Sequence, residues 1–331
     1  MPEKPIVDIQ ENDILANYPD VLEILLCDRT TNKNIFWATN DYEHKGIGYK
    51  YNSEIAVTAI TGRNGRVIKP RVLKSKEKQT NRSKDMAEVF TPSWICNAQN
   101  NLVDEAWFGR KDVFNIEDSA NKTWKAVENK IEFSEEKTWQ DYVRDTRLEI
   151  TCGEAPYIVS RYDTTTGVFI PLTERIGLLD RKLRVVGENI DDKEEWIEWA
   201  TIAYKNIYAY EWQGDNLLLA RESMLITFME YYQSKFGEDP TIDCIKDVAY
   251  IISWNVWQMD GLKCVVPNSC QNEVKVNLTL FGEEVEKEVC EGCRKNDIQK
   301  HNGTYCKIMD WDIKDKSGKY GKAFEFRKLL K

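Results

Sequence analysis

Cys290-Glu291-Gly292-Cys293 is a C-x-x-C knuckle, with His301 and Cys306 after it and Cys264 and Cys270 before it. Tetrahedral zinc takes four thiolate or imidazole ligands, and two such turns can supply them in a segment too small to build its own core. The spacing favours Cys270, Cys290, Cys293 and Cys306, with His301 or Cys264 as substitutes in the fourth position. Protein fills every position of such a set, so the expected metal is structural. A redox dithiol is disfavoured, because nothing around the pair reads as a helix start following a strand. A second group lies upstream. In LEITCGEAPYI (148–158) a short apolar strand runs into Cys152-Gly153, with Glu149 just before the bend. Glycine there lets a ligand approach the backbone with no Cβ in the way, and an acid there can hold an ammonium. The third group is a basic strip. Between Arg63 and Lys84 lie nine Lys/Arg and one acid, Glu77, on a chain of net charge −9. Such a strip suits contact with phosphates, and Arg63, Arg66, Lys69, Arg71, Lys74 and Lys76 are its candidates.

The elements that must position these groups read as strands alternating with helices. Residues 215–235 place Leu218, Leu225, Phe228, Met229 and Tyr232 at three- and four-residue steps, an amphipathic helix. Ile242, Ile245, Ala249, Ile252 and Val256 repeat the pattern after Pro240-Thr241. Further helices are expected near 173–186 and 192–206. Short apolar strands fit between them at 148–151, 206–210 and 262–266, which argues for an α/β sheet. Toward the N-terminus, 21–27 and 34–39 read as strands joined by a turn at 28–34. The odd count of nine cysteines, several within apolar sequence, argues against a disulfide framework. No run approaches the roughly 18 apolar residues of a membrane span, and MPEKPIVDIQ lacks a signal-peptide layout. The expected location is the cytoplasm.

Three segments, in order, carry a resemblance to a known family. AEVFTPSW (87–94) resembles the "FTP" segment of N6-adenine DNA methyltransferases, with Phe90, Thr91 and Pro92 at its positions. LEITCGEAPYI is similar to that family's acidic, glycine-rich strand-to-helix turn. Glu149 stands at the acid, Cys152-Gly153 at the Cys-Gly, Glu154 within the turn, and Tyr157-Ile158 at the aromatic-aliphatic pair. Ala155 replaces the second glycine. IYAYEWQGDNLLLARESM (207–224) resembles the second-strand motif, with Glu211 at the acid that bonds both ribose hydroxyls. The resemblance covers about residues 86–230 and is nearest to small restriction-system methylase subunits. It implies a Rossmann-like class I methyltransferase sheet that binds S-adenosylmethionine.

That resemblance, with the strands and cysteines above, gives an expected α/β architecture in three parts. These are an N-terminal β-rich segment with the basic strip (1–85), a methyltransferase-like domain (86–263) with an insertion at about 161–206, and a cysteine-containing C-terminal module resembling a zinc-binding one (264–331). The implied function is adenine-N6 methylation of double-stranded DNA in a restriction-modification or phage system, with or without a partner subunit. The family's catalytic tetrapeptide, [DNS]-P-P-[YFW], does not occur in the sequence. Its place in chain order falls at 262–270 (LKCVVPNSC), where Pro267 and Asn268 are the candidates, Asn268 as acceptor for the target amino group. The same peptide also reads as a simple turn leaving a strand. Two other readings stay open: a non-catalytic DNA- or protein-binding subunit, and a nuclease using Glu128-Asn129-Lys130.

Overall fold

The structure, a computed structural model, describes residues 11–85, 88–279, 282–314 and 320–330. Its N-terminal part is helical, not β-rich. α1 (Glu11–Asn17) leads into α2 (Pro19–Leu26), which occupies the stretch expected as the first strand. Pro19 and Asp20 open α2, and Val21, Leu22, Leu25 and Leu26 form its wholly buried face. A seven-residue run (21–27), apolar except at Glu23, fits either element, and here the four-residue repeat prevails. The expected turn does form, but it joins strands of only two residues, with Cys27 opposite Asn34 and Asp28 opposite Lys33. Beyond it Phe36 and Trp37 dock on other elements. The Gln258 side chain accepts from Phe36 N (3.0 Å) and donates to Phe36 O (2.8 Å), and Gly214 N donates to Trp37 O. A Cβ on Gly214 would lie 2.1 Å from Phe36 O, so this close approach requires glycine.

α3 (Lys76–Asp85) and α4 (Ser93–Phe108) precede a three-stranded parallel sheet. Its strands are β1 (Arg147–Glu149), β2 (Ile207–Glu211) and β3 (Val256–Gln258), in the order β1-β2-β3. Glu149 pairs with Ala209 and Glu211 with Gln258, so both acids lie at the C-terminal end of the sheet. The long β1–β2 connection holds a small hairpin bridged at Tyr162 and Phe169, then α5 (Leu178–Asn189) and α6 (Lys193–Lys205). Trp196 of α6 is buried against Phe228, Tyr232 and Phe236, so it packs the core. α7 (Gly214–Phe236) and α8 (Ile242–Asn255) fill the expected helical stretches. Arg221 of α7 is wholly buried and donates to the carbonyls of Leu25, Cys27, Ser253 and Val256, satisfying groups left open where α2 and α8 end.

The third strand is not the one the sequence suggested. α8 stops at Asn255, whose side-chain amide donates to the carbonyls of Tyr204, Lys205 and Ile207, and β3 begins at once. Val256 continues the helical spacing, which hides the switch. The segment 262–266 is a turn in which only Val265 makes ladder bridges, to Asp260 and Tyr305. The described parts are thus mixed α/β, built of small sheets of which one is parallel.

Buried residues from Ile14 to Val256 form one continuous core. A smaller cluster (Tyr210, Trp257, Met259, Cys264, Cys306, Ile308 and Phe326) joins the sheet to the C-terminal hairpin of β4 (Lys307–Lys314) and β5 (Tyr320–Glu325). Among the described residues no helix is long and apolar enough to cross a membrane.

Candidate functional site

At the C-terminal end of the parallel sheet a cavity of about 940 Å³ is lined by Phe90, Thr91, Glu149, Cys152, Gly153, Tyr157 and Glu211, all seven singled out in the sequence. The chain crosses from β1 through Cys152, whose N–H donates to Tyr210 O on β2 (2.9 Å). The next N–H, of Gly153, donates to Glu211 Oε2 at 2.8 Å. Gly153 has φ +56°, and a Cβ there would lie 3.4 Å from the Phe90 ring, which covers the bend. Thr151 and Ala155, which lack glycine's freedom, are also left-handed (φ 48° and 59°), so the turn keeps this geometry although alanine replaces the second glycine.

Both acids facing the cavity are held above the ordinary carboxylate range. Burial pushes Glu149 well up, only partly opposed by the backbone N–H groups of Tyr157 and Ile158, and the charge of Glu211 adds to it. One carboxylate oxygen of Glu149 is buried with no hydrogen-bond partner. Burial likewise raises Glu211 against the N–H groups of Gly153, Gln213 and Trp212. Two buried carboxylates at the mouth of an open cavity favour a cationic or hydroxyl-donating ligand, because either relieves their desolvation.

Behind the cavity lies a buried charge network. Arg82 is 1% exposed and donates to Glu88 (2.6 Å), Asp41 (2.7 Å), Asp215 (2.9 and 3.1 Å) and Gln213. Asp215 also accepts from Tyr42 Oη (2.9 Å) and Lys74 Nζ (3.1 Å). Burial alone would raise its pKa, but Arg82 and Lys74 outweigh that and hold it far below the ordinary value. Glu88 accepts from Asn216 as well, and both line the cavity wall with Gln213.

The cysteine cluster assembles with one substitution. Cys270, Cys290, Cys293 and His301 have their ligand atoms within 4.8 Å of one another. His301 Nδ1 lies 3.6 Å from the Cys270 Sγ, 3.7 Å from the Cys290 Sγ and 3.6 Å from the Cys293 Sγ. Zinc–sulfur bonds of about 2.3 Å and zinc–nitrogen bonds of about 2.0–2.1 Å at tetrahedral angles would separate sulfur from nitrogen by ~3.6 Å. The three sulfur–nitrogen distances therefore match those of a zinc-sized ion held between these four residues. Cys306 is not the fourth ligand: it is buried in the adjoining apolar cluster, its Sγ against Gln258 O at 3.4 Å. Spacing could not separate His301 from Cys306, because the bridges of Val265 turn the chain between them.

Other expectations are corrected. Pro267 is buried and Asn268 is exposed with φ +59°, in the turn leading to Cys270 of the cysteine cluster. Neither lines the cavity. With the strand ending at Gln258, the peptide no longer follows the strand end that would have aimed it. Glu154 does not line the cavity either; its carboxylate turns inward to accept from Arg71 N (2.6 Å) and Tyr162 Oη (2.5 Å). Pro92 does not line it and is the residue immediately before α4. In the basic strip, Arg71 pairs with Glu88 (3.4 Å) and lies over Phe90, while Lys74 pairs with Asp215, so both charges are already answered by protein. Arg63, Arg66 and Lys76 are exposed and Lys69 half-buried. Glu128-Asn129-Lys130 is exposed, and no carboxylate cluster that could hold a metal forms around it among the described residues.

Sequence reasoning missed Tyr51, Glu88, Asn100, Trp212, Gln213 and Asn216, which also line the cavity. Trp212 and Gln213 directly follow Glu211 and were within reach. Tyr51, whose Oη accepts from Trp212 Nε1 (2.8 Å), gave no local signal. In comparisons with protein-family models, curated proteins and solved structures, nothing matches this chain.

Proposed function

We propose that the cavity binds S-adenosylmethionine and that the chain works as an adenine-N6 DNA methyltransferase of a restriction-modification or phage system, on a Rossmann-like framework. The observation that carries this reading is the junction of Gly153 and Glu211. A glycine bend ends the first parallel strand, its N–H reaches the acid ending the second strand, and the space over both is open. Glu211 would accept from the ribose hydroxyls, Glu149 with its unpartnered oxygen would hold the amino-acid ammonium, and Phe90 would pack against the ligand. When bound, the cofactor supplies an electrophilic methyl group for an adenine amino nitrogen, which gives up a proton. In the Cys270, Cys290, Cys293 and His301 cluster the reading adds a structural zinc.

A second reading, a cofactor-binding subunit whose partner completes the chemistry, is favoured by two observations. Asn268 lies outside the cavity, and β1 is an edge strand that carries exposed Leu148 and is followed by exposed Ile150. Methylation of mixed-sequence DNA with labelled cofactor separates the two: incorporation into adenine by the purified chain alone eliminates the second.

Calorimetric titration with S-adenosylhomocysteine tests the cofactor site itself. We expect micromolar binding, weakened by about 1–3 kcal/mol in Glu211→Ala through loss of a charged acceptor. No heat from the wild type, or equal affinities, would discard the assignment. The raised acids also fix a pH dependence. The ammonium requires ionised carboxylates, so affinity should be full above their elevated pKa values and fall with acidification sooner than a carboxylate of ordinary pKa near 4.5 would dictate. Glu149→Gln should bind more weakly at neutral pH and flatten that profile; an unchanged profile would mean Glu149 does not meet the ligand.

A further inference from the structure

On the far side of the Arg82–Asp215 network from the cofactor cavity lies a separate cleft of about 290 Å³. His44 and Lys45 come to it from the turn at Glu43–Lys45, Arg66 and Lys69 from the loop at 65–70, and Lys78 from α3. Tyr42, Val67 and Leu73 also line it. Two further charges at the cleft are already answered, since Asp41 pairs with Arg82 and Lys74 with Asp215. Lys45, Arg66, Lys69 and Lys78 have no ion-pair partner among the described residues.

Four uncompensated cations around one concavity repel each other, and on a chain of net charge −9 acids were plentiful enough to neutralise them. Their juxtaposition is relieved by an anion in the cleft. Arg63, Lys76 and Lys84, on or next to the two segments that bring Arg66, Lys69 and Lys78 to the cleft, are exposed as well. A run of cations longer than one phosphate matches a repeating phosphodiester. Tyr42 and Lys74, at the cleft, both donate to Asp215, and the next residue, Asn216, lines the cofactor cavity. One helix start thus separates the two sites.

We propose that this cleft binds the phosphodiester backbone of duplex DNA, with Lys45, Arg66, Lys69 and Lys78 as phosphate contacts and Arg71 and Lys74 excluded. The proposal supplies the substrate-binding surface for the methyltransferase reading, yet the binding it asserts does not depend on cofactor. The test is fluorescence anisotropy with a labelled 25-base-pair duplex across a salt series, comparing wild type with the quadruple variant Lys45→Ala, Arg66→Ala, Lys69→Ala, Lys78→Ala. Each phosphate contact contributes about 0.9 to the slope of log K against log salt, so the slope should fall by roughly 3 to 4. S-adenosylhomocysteine titration and thermal melting of the same variant serve as controls. Lost DNA binding with an unchanged melt supports the cleft, whether or not either protein binds S-adenosylhomocysteine; failure of that titration alone counts against the cofactor reading only. A wild type that ignores duplex at low salt overturns the cleft proposal, as does a folded variant with the wild-type slope. Full displacement of duplex by millimolar inorganic phosphate would reduce it to a single-anion site, and tighter binding of single-stranded than duplex DNA would contradict the assignment to duplex.

Discussion

If the Cys270, Cys290, Cys293 and His301 cluster holds the proposed zinc, chelation will unfold the C-terminal module while leaving the main core folded. The module's own apolar cluster is small, seven buried side chains of which Tyr210, Trp257 and Met259 come from β2 or the β3 end. A core of that size supplies little by itself. Zinc binding in comparable structural sites contributes about 10–16 kcal/mol at neutral pH, far more than any single contact here. The purified protein should carry one equivalent of metal by elemental analysis. Hydrogen exchange after chelation should rise across residues 264–330 and stay low in α7 and α8. Cys290→Ser and His301→Ala should lose the metal. Cys306→Ser should keep it, since that sulfur faces Gln258 instead. Protein that purifies metal-free with an intact module, or that loses its metal in Cys306→Ser but not in His301→Ala, would refute the ligand set.

The second large effect concerns Arg82. Replacing it with methionine keeps most of the volume but leaves Asp215, fully buried, and Glu88, 8% exposed, without their main counter-charge. Breaking a buried ion pair from one side costs about 3–5 kcal/mol, because the surviving charge stays desolvated. The melting temperature should fall by roughly 5–15 °C. The double variant Arg82→Met, Asp215→Asn should recover part of the loss, which a merely bulky side chain would not allow. Since Asp215 is depressed in the folded state, its contribution is complete above the ordinary carboxylate pKa and is lost only as pH falls through the depressed value. Arg82 also holds Gln213 and, through Glu88, Asn216, so the same variant should weaken S-adenosylhomocysteine. A melting point within a degree or two of wild type would mean the network adds nothing net.

What the sequence determined by itself were the features with a short repeat or a fixed local order. α7 and α8 were legible because Leu218, Leu225, Phe228 and Tyr232, or Ile245, Ala249 and Ile252, recur at helical spacing, a property of consecutive turns alone. Glu149, Gly153 and Glu211 were legible for a related reason: a strand end followed by a bend brings an acid and a backbone N–H to the same edge wherever the sheet forms. Tertiary structure decided the rest. Val21–Leu26 is helical because its face packs into the core and Arg221, some 195 residues later, takes up its terminal carbonyls. The basic strip looked uniform along the chain, yet Asp215, 141 residues beyond Lys74, and Glu88 neutralise one part of it, while His44 and Lys45 join the other. The fourth place in the cysteine cluster went to His301 over Cys306 by the path of the chain past Val265. Charge pairing and metal geometry depend on distance in space, and no local repeat encodes which distant residue arrives.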